Sequence, residues 1–296
     1  MRHILAIANP TSGRGGAKQA LPEIERRFRD AGFDITVRET RKRGDAERLA
    51  AEATDGDLIV AVGGDGTFNE VANGAPRSVP LYQIPFGTAN LIASEFGMPR
   101  RIEDAVRGVT AGTVRDLDVV EVRAGESVRR CVIVAGAGFD AAVVREVSQI
   151  RGRRARGTIG MATYVLPIVK AAFGYAMPAI EVSIDGAKLA DTATSVLVCN
   201  GRRYGGPFTV APEAKPDDGL LDAVVIKGRS RLAYFKYPLA ALLGFLLKLG
   251  SIEYHRCKKV ELRSAETVYV QNDGDIAGTL PLTAEIREKA IKVLVP

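Results

Sequence analysis

Two histidines and three cysteines in 296 residues leave little room for several kinds of chemistry. Cys131, Cys199 and Cys257 are scattered, odd in number and without CxxC spacing. That pattern argues against a disulfide framework or a zinc site and fits a reducing compartment. His3 and His255 have no partner pattern, so a Ser–His–Asp site is not expected. Both read as ordinary strand or surface histidines, and acid–base work falls to carboxylates. Long apolar runs are also missing. Met1 to Ala8 is apolar but stops at Asn9-Pro10, too short for the apolar region of a signal peptide. The longest apolar stretch, Pro238 to Leu247, is well below the roughly 18 residues a membrane span needs. No nucleic-acid-binding motif, internal repeat or low-complexity tract is visible.

What is present is ordinary for a globular chain: 46% hydrophobic and 26% charged residues, in a length that suits two domains. A net charge of +6 favours anionic partners, whether nucleotide, acidic lipid or nucleic acid, without choosing among them.

Along the first third, apolar strands alternate with helices. His3 to Ala8 reads as a buried strand, Ala17 to Ala31 as a helix with Leu21, Ile24 and Phe28 on one face, and Phe33 to Thr40 as a strand. Asp45 to Ala53 reads as a helix, Asp57 to Val62 as a strand, Phe68 to Ala72 as a helix, and Leu81 to Ile84 as a strand before a helix reaching about Phe96. This alternation predicts a parallel, doubly wound sheet. From Asp116 onward strands dominate: Leu117 to Arg123, Arg130 to Ala135, Ala179 to Ile184, Thr194 to Cys199, Leu221 to Ile226, Lys259 to Arg263, Thr267 to Gln271 and Ile291 to Val295. Two helices, Thr158 to Phe173 and Arg231 to Leu249, interrupt a β-rich second domain.

The most informative stretch is GGDGTFNE at Gly63 to Glu70, directly behind an apolar strand. Gly63, Gly64 and Gly66 let the backbone approach a ligand closely, and the next helix adds N–H donors suited to phosphate. A carboxylate among phosphates would be repelled, so Asp65 implies a divalent cation or a proton-transfer role. A second glycine-rich turn, TSGRGG, follows the first strand. Both turns then lie at the carboxyl edge of the sheet, where such sheets bind ligands.

Taken in order, NPTSG at Asn9 to Gly13, GGDGTFNEV at Gly63 to Val71, PFGTAN at Pro85 to Asn90, AGAGFDA at Ala135 to Ala141, PDDGLLD at Pro216 to Asp222 and DGD at Asp273 to Asp275 resemble the diacylglycerol kinase catalytic family. That family includes bacterial soluble lipid kinases and sphingosine kinases, and the resemblance covers nearly the whole chain. It implies an α/β plus β fold: a Rossmann-like nucleotide domain of the phosphofructokinase and NAD kinase type, a C-terminal β-sandwich, and an active site in the cleft between them. The expected domains are residues 1–115, joined by a strand at about 284–296, and residues 116–283. The implied activity moves the γ-phosphoryl group of ATP to a lipid hydroxyl.

The resemblance implies nucleotide contacts from Asn9, Pro10, Thr11, Ser12 and Gly13, from Thr40, from Gly63, Gly64, Asp65, Gly66, Thr67, Phe68, Asn69 and Glu70, and from Thr88 and Asn90. Taken alone, Thr40 would be a strand-end residue and Glu70 a helix-capping one. Many relatives carry an aspartate after the asparagine of the third segment; here Leu91 stands instead. Asp275 occupies the place of a general-base glutamate, although the local DGD pattern alone reads as a β-turn. A magnesium ion of structural type is implied at Lys215, Asp218 and Leu220, with Asp217 as an extra ligand; a bare turn competes with that reading. A catalytic magnesium is implied near Asp65.

Arg151, Arg153, Arg154 and Arg156 precede the apolar helix Met161 to Phe173, and Arg231 and Lys236 flank a second with Tyr234, Phe235 and Tyr237. This suits docking on an anionic bilayer, against the alternative of a solvated loop beside packed helices. The expected partners are a lipid substrate at a membrane surface and, as an open option, a second copy in a homodimer; nucleic acid is not expected. The expected location is the cytoplasm, with peripheral contact at the inner membrane face. Two other readings stay open. One is an NAD kinase, which shares GGDGT but lacks the GTAN and DGLLD segments. The other is a non-catalytic nucleotide- or lipid-binding regulator, against which Asp65 and Asp275 together argue.

Overall fold

The computed structural model describes residues 3–153, 165–206, 208–228, 230 and 233–296. Arg154, Arg156 and Arg231 of the basic clusters, and the stretch before Val165 of the expected helix from Thr158, lie outside the described residues. The chain forms two units. One holds the chain up to Leu117 together with Lys289–Pro296, and the other runs from Asp118 to Glu288.

The first unit begins with β1 (His3–Ala8), α1 (Gly16–Asp30), β2 (Asp34–Glu39), α2 (Asp45–Ala50), β3 (Asp57–Gly63), α3 (Asp65–Gly74), β4 (Pro80–Pro85), α4 (Leu91–Glu95) and α5 (Ile102–Ala111). The strands pair in parallel in the order β2-β1-β3-β4. The winding therefore reverses between β1 and β3, and the crevice outside their carboxyl ends is where such sheets bind ligands. β1, β3 and β4 are almost wholly buried, as expected of strands covered on both faces. α1 covers the sheet with Ala17, Leu21, Ile24 and Phe28 at helical spacing. α5 is absent from the sequence reading. Its Gly108 is a close-approach position: a Cβ there would lie 2.8 Å from Tyr82 Oη and from Pro296 Cβ.

β5 (Thr113–Ala124) carries the chain into the second unit. There follow β6 (Ser127–Cys131), β7 (Val134–Gly138), α6 (Phe139–Arg153), α7 (Val165–Gly174), β8 (Ile180–Ile184), β9 (Ala187–Ala193), β10 (Ser195–Cys199), β11 (Arg203–Tyr204), β12 (Phe208–Thr209) and β13 (Leu221–Ile226). The chain ends with α8 (Ala233–Leu242), β14 (Ile252–Cys257), β15 (Lys259–Arg263), β16 (Tyr269–Asn272), β17 (Asp275–Thr279) and β18 (Leu282–Val295). One antiparallel sheet has the order β14-β13-β10-β7-β16-β17. In the other layer β15 pairs with β18 and β8, β8 with β9, and β5 with β6 and β18. A single apolar cluster, with Val122, Val182, Val260 and Leu262 from one layer and Val196, Val198, Val225 and Val270 from the other, makes this unit a β-sandwich.

Three expectations differ from the structure for identifiable reasons. The strand expected over Arg130 to Ala135 is broken into β6 and β7, because the Asp273 carboxylate draws in the N–H groups of Val132, Ile133 and Val134. The helix expected over Arg231 to Leu249 ends at Leu242, where Gly244 takes φ +73° and a short 3-10 turn, Leu246–Lys248, follows. α6, β9 and β14 were not anticipated; the polar alternation of IEYHRC in β14 and the small residues around β7 obscure their periods.

Candidate active site

The three segments expected to hold nucleotide all follow parallel strands, and packing draws them together. After β1, Gly13 takes φ +61° and a Cβ there would lie 3.0 Å from the Phe86 carbonyl oxygen, so the first loop seats on the third. Gly64 and Gly87 meet backbone to backbone: a Cβ on Gly87 would lie 2.6 Å from the Gly64 Cα. The Phe86 N–H donates to the Gly63 carbonyl at 2.9 Å, and the Asn9 N–H to the Val62 carbonyl at 3.0 Å. The result is one rim at the carboxyl ends of β1, β3 and β4. A Cβ on Gly66 or Gly15 would meet nothing within 4 Å, so the rim is open on the side a ligand would approach.

Individual side chains sort into distinct tasks. Asn9 Oδ1 accepts from the Thr11 N–H (3.1 Å) and hydroxyl (2.9 Å), fixing the first loop beside Ser12 and Pro10. Asn90, only 3% exposed, closes the third loop: its Oδ1 accepts from the Gly87 N–H at 2.8 Å and its Nδ2 donates to the Gly87 carbonyl at 2.7 Å. Thr88 is exposed on that loop, and the Thr40 N–H donates to the Ala8 carbonyl at 2.9 Å at the same edge. Thr67 packs over Gly63, where an added Cβ would lie 2.4 Å from the Thr67 hydroxyl.

Phe68 is wholly buried with Val71 and Ala72, which takes its ring off the rim. Glu70 points to α2, where its carboxylate accepts the Ala46 N–H at 3.1 Å. It caps a neighbouring helix and complements that dipole. Asn69 accepts from the Asn73 side chain within α3. Asp65 opens α3 and its Oδ1 accepts the Ile92 N–H at 3.2 Å, tying the phosphate loop to the first turn of α4. At the start of α3 the Thr67 and Phe68 N–H groups donate to the Gly64 carbonyl at 3.1 and 3.2 Å, and the N–H groups of Asp65 and Gly66 lack intrahelical acceptors, as at any helix start. Gln83, fully buried in β4, supports the loop from below through its Nε2, 3.3 Å from the Gly63 carbonyl.

In the second unit Asp275 is the first residue of β17, partly exposed and in register with Asn272 across the tight turn Asp273-Gly274. Asp273 does the opposite work. Its carboxylate accepts N–H groups from Val132 (2.7 Å), Ile133 (2.9 Å) and Val134 (3.0 Å) and the Cys131 thiol. Burial pushes its pKa up even though these bonds pull it down. Gln271 Oε1 accepts the Gly274 N–H at 2.8 Å and holds the turn from the other side. Asp140, at the start of α6, is raised to about 6 by burial against hydrogen bonds from Tyr204 and Gln271, and its Oδ2 is buried without a partner. Asp273, Gln271 and Gln83 were not singled out from sequence. The signal available was a polar residue inside an otherwise apolar strand, as in VYVQN and LYQIP.

The loop Lys215 to Leu220 is held by protein groups. Asp218 Oδ1 accepts the Leu220 N–H at 3.2 Å, and its Oδ2 pairs with Arg256. Buried Asp118 accepts the Gly219 N–H at 2.8 Å, and the Pro216 carbonyl accepts the Asp118 N–H at 2.7 Å. The Arg256 guanidinium thus pairs with the carboxylate that the resemblance assigns to a cation. Among the described residues no group of three or more His, Cys, Asp and Glu is placed to hold a metal. The rim is different in kind: a carboxylate beside glycine-rich loops is a donor set that magnesium accepts, since it keeps several waters and takes one or two carboxylates.

A glycine-built anion rim at the switch point of a parallel sheet, followed in the same chain by a β-sandwich, defines a phosphotransferase of the lipid kinase and NAD kinase fold class. The profile of the diacylglycerol kinase catalytic domain matches residues 3–122, and that of the YegS C-terminal NAD kinase beta sandwich-like domain matches residues 133–295. The chain is 30% identical to the diacylglycerol kinase of Bacillus subtilis (strain 168) over 287 residues, covering 95% of this chain and 92% of that protein. It is 27% identical to that of Staphylococcus carnosus (strain TM300), covering 98% and 94%. A crystal structure from Bacillus anthracis strain Sterne, provisionally titled a diacylglycerol kinase, superposes with a TM-score of 0.81 at 26% identity, over 100% of this chain and 95% of that one. An NAD kinase from Archaeoglobus fulgidus shares the fold at a TM-score of 0.53 and 15% identity, over 98% and 92%. The chain belongs to the diacylglycerol kinase catalytic family.

Proposed function

We propose that the protein is an ATP-dependent lipid kinase that transfers the γ-phosphoryl group to the hydroxyl of a diacylglycerol or sphingoid-type lipid. The observation that carries this reading is the convergence of the three glycine-rich loops on one rim, with Gly64 against Gly87 and Gly13 against Phe86. Phosphoryl transfer demands positioning and charge neutralisation more than covalent work, and backbone donors preset around the phosphates supply the first. Magnesium bound to the triphosphate and Asp65 would neutralise charge on the phosphate oxygens. Asp275, the carboxylate at the start of β17, takes the proton of the lipid hydroxyl as its oxygen attacks the γ-phosphorus and ADP departs.

Gly87→Ala tests the rim. The new methyl must displace either the Gly64 backbone or Asn90 Oδ1, 2.7 Å away. Overpacking of this kind costs about 1–3 kcal/mol, so ATP affinity is expected to fall about 10- to 100-fold in calorimetric titration. The reading as a whole is tested with labelled ATP and a panel of diacylglycerol, sphingosine and NAD as acceptors. Label in a lipid product is expected; label in NADP alone, or in nothing, would overturn it.

A further inference from the structure

Large apolar side chains are exposed at eight described positions, and six of them lie together on α7, α8 and the turn after α8: Phe173, Phe235, Leu239, Leu242, Leu243 and Phe245. α8 has two apolar stripes. Tyr234, Tyr237, Ala240 and Ala241 face inward and are buried. The Tyr234 hydroxyl donates to Thr194 Oγ1 at 2.7 Å, its ring stacks 4.0 Å from that of Phe139, and the Tyr237 hydroxyl lies 3.1 Å from Ser251 Oγ. The sequence reading grouped Tyr234 and Tyr237 with a docking face; they pin the helix from beneath instead. Phe235, Leu239 and Leu242 fall on the opposite side at i, i+4 and i+7, and the chain turns at Gly244 to add Leu243 and Phe245. Phe173, 60% exposed, brings α7 to the same face, its ring 6.0 Å from that of Phe235.

In sequence, residues 223–252 around α8 contain five Lys or Arg and no acid, and of these Lys227 pairs with Glu253 just beyond. Lys236 and Lys248 are exposed beside the leucines. A second copy of the chain would oppose positive to positive, whereas an anionic phospholipid surface meets both the cations and the apolar side chains.

We infer that the outer stripe of α8, with Leu243, Phe245 and Phe173, is a docking face that enters the headgroup boundary of an anionic bilayer. The inference rests on the lipid kinase reading for its choice of a lipid partner. The helix is already pinned by its tyrosines, so entry needs no refolding, and its ten residues lay down about 15 Å of contact.

The test is cosedimentation of the full chain with vesicles of phosphatidylglycerol and phosphatidylcholine, against phosphatidylcholine alone. Binding to the anionic vesicles that weakens with salt is expected. The double variant L242E/L243E is expected to bind at least about tenfold more weakly, while its rate on monomeric dioctanoyl diacylglycerol and its melting temperature stay unchanged. Equal binding by the variant, or no binding by the parent chain, would overturn the inference. So would a parent dimer that the variant converts to monomer with vesicle binding unchanged, since that marks an interface between copies. Vesicle binding needs no turnover. Loss of transfer to every lipid with binding intact therefore removes the kinase reading and not the docking face.

Discussion

Asp275→Asn is expected to lower lipid phosphorylation by about 100- to 10,000-fold while ATP affinity stays within about twofold, because a positioned base contributes that much to a proton transfer. The substitution keeps size and polarity at the first residue of β17 and leaves the β16–β17 turn untouched. It removes the ability to hold the proton of the attacking hydroxyl. Steady-state rates at saturating ATP and lipid, with calorimetric ATP binding beside them, separate the two effects. Asp275→Glu is the informative companion: it keeps the carboxylate on a longer arm, so substantial activity is expected to remain. Near-normal turnover by the asparagine variant would remove Asp275 as the base.

Asp273→Ala, two residues earlier, is expected to do the reverse: lose stability first. Three backbone N–H groups and a thiol converge on its carboxylate. An unsatisfied buried donor costs about 1–3 kcal/mol, and allowing for relaxation the loss is about 3 kcal/mol in total. Asp273 also has φ +46°, which alanine tolerates less well than aspartate or asparagine. For a unit of this size the melting temperature should drop by roughly 6–12 °C in a calorimetric scan. Asp273→Asn keeps the backbone tolerance and one acceptor and should fall between, and Asp275→Asn should melt like the parent chain. An unchanged melting temperature in Asp273→Ala would show that the carboxylate does not hold the β6–β7 break together.

The parallel sheet was legible because β1, β3 and β4 are short apolar runs ending in glycine, proline or asparagine, and that punctuation survives without tertiary information. The place of the glycine-rich turns at the carboxyl edge of that sheet was legible for the same reason. What the one-dimensional pattern could not carry was direction. GGDGTFNE places Phe68 and Glu70 beside the glycines in sequence, but a helix turns about 100° per residue, so Phe68 enters the core and Glu70 reaches α2. The DGD triplet likewise reads as one motif, although the turn aims the first carboxylate at the N–H groups of Val132, Ile133 and Val134 while the third opens β17. A cation at Asp218 is what the resemblance implies; the pairing of Asp218 with Arg256, far along the chain, is invisible without the fold. In the sandwich, β9 and β14 escaped notice because Lys188 and Asp191 in the first and Glu253, His255 and Arg256 in the second interrupt their alternation.

β18 has a practical outcome for anyone dividing this chain. Its early residues bond to β15, while Lys292 and Val293 lie beside Pro80 and Leu81 of β4, and Pro296 rests on Gly108. A fragment cut after Leu117 would strip β4 of its neighbour and bare an apolar ribbon with unmet amides, the usual seed for sticking strands together. The first unit is thus a discontinuous object: to be made alone it must be spliced to its own last eight residues, or built by circular permutation.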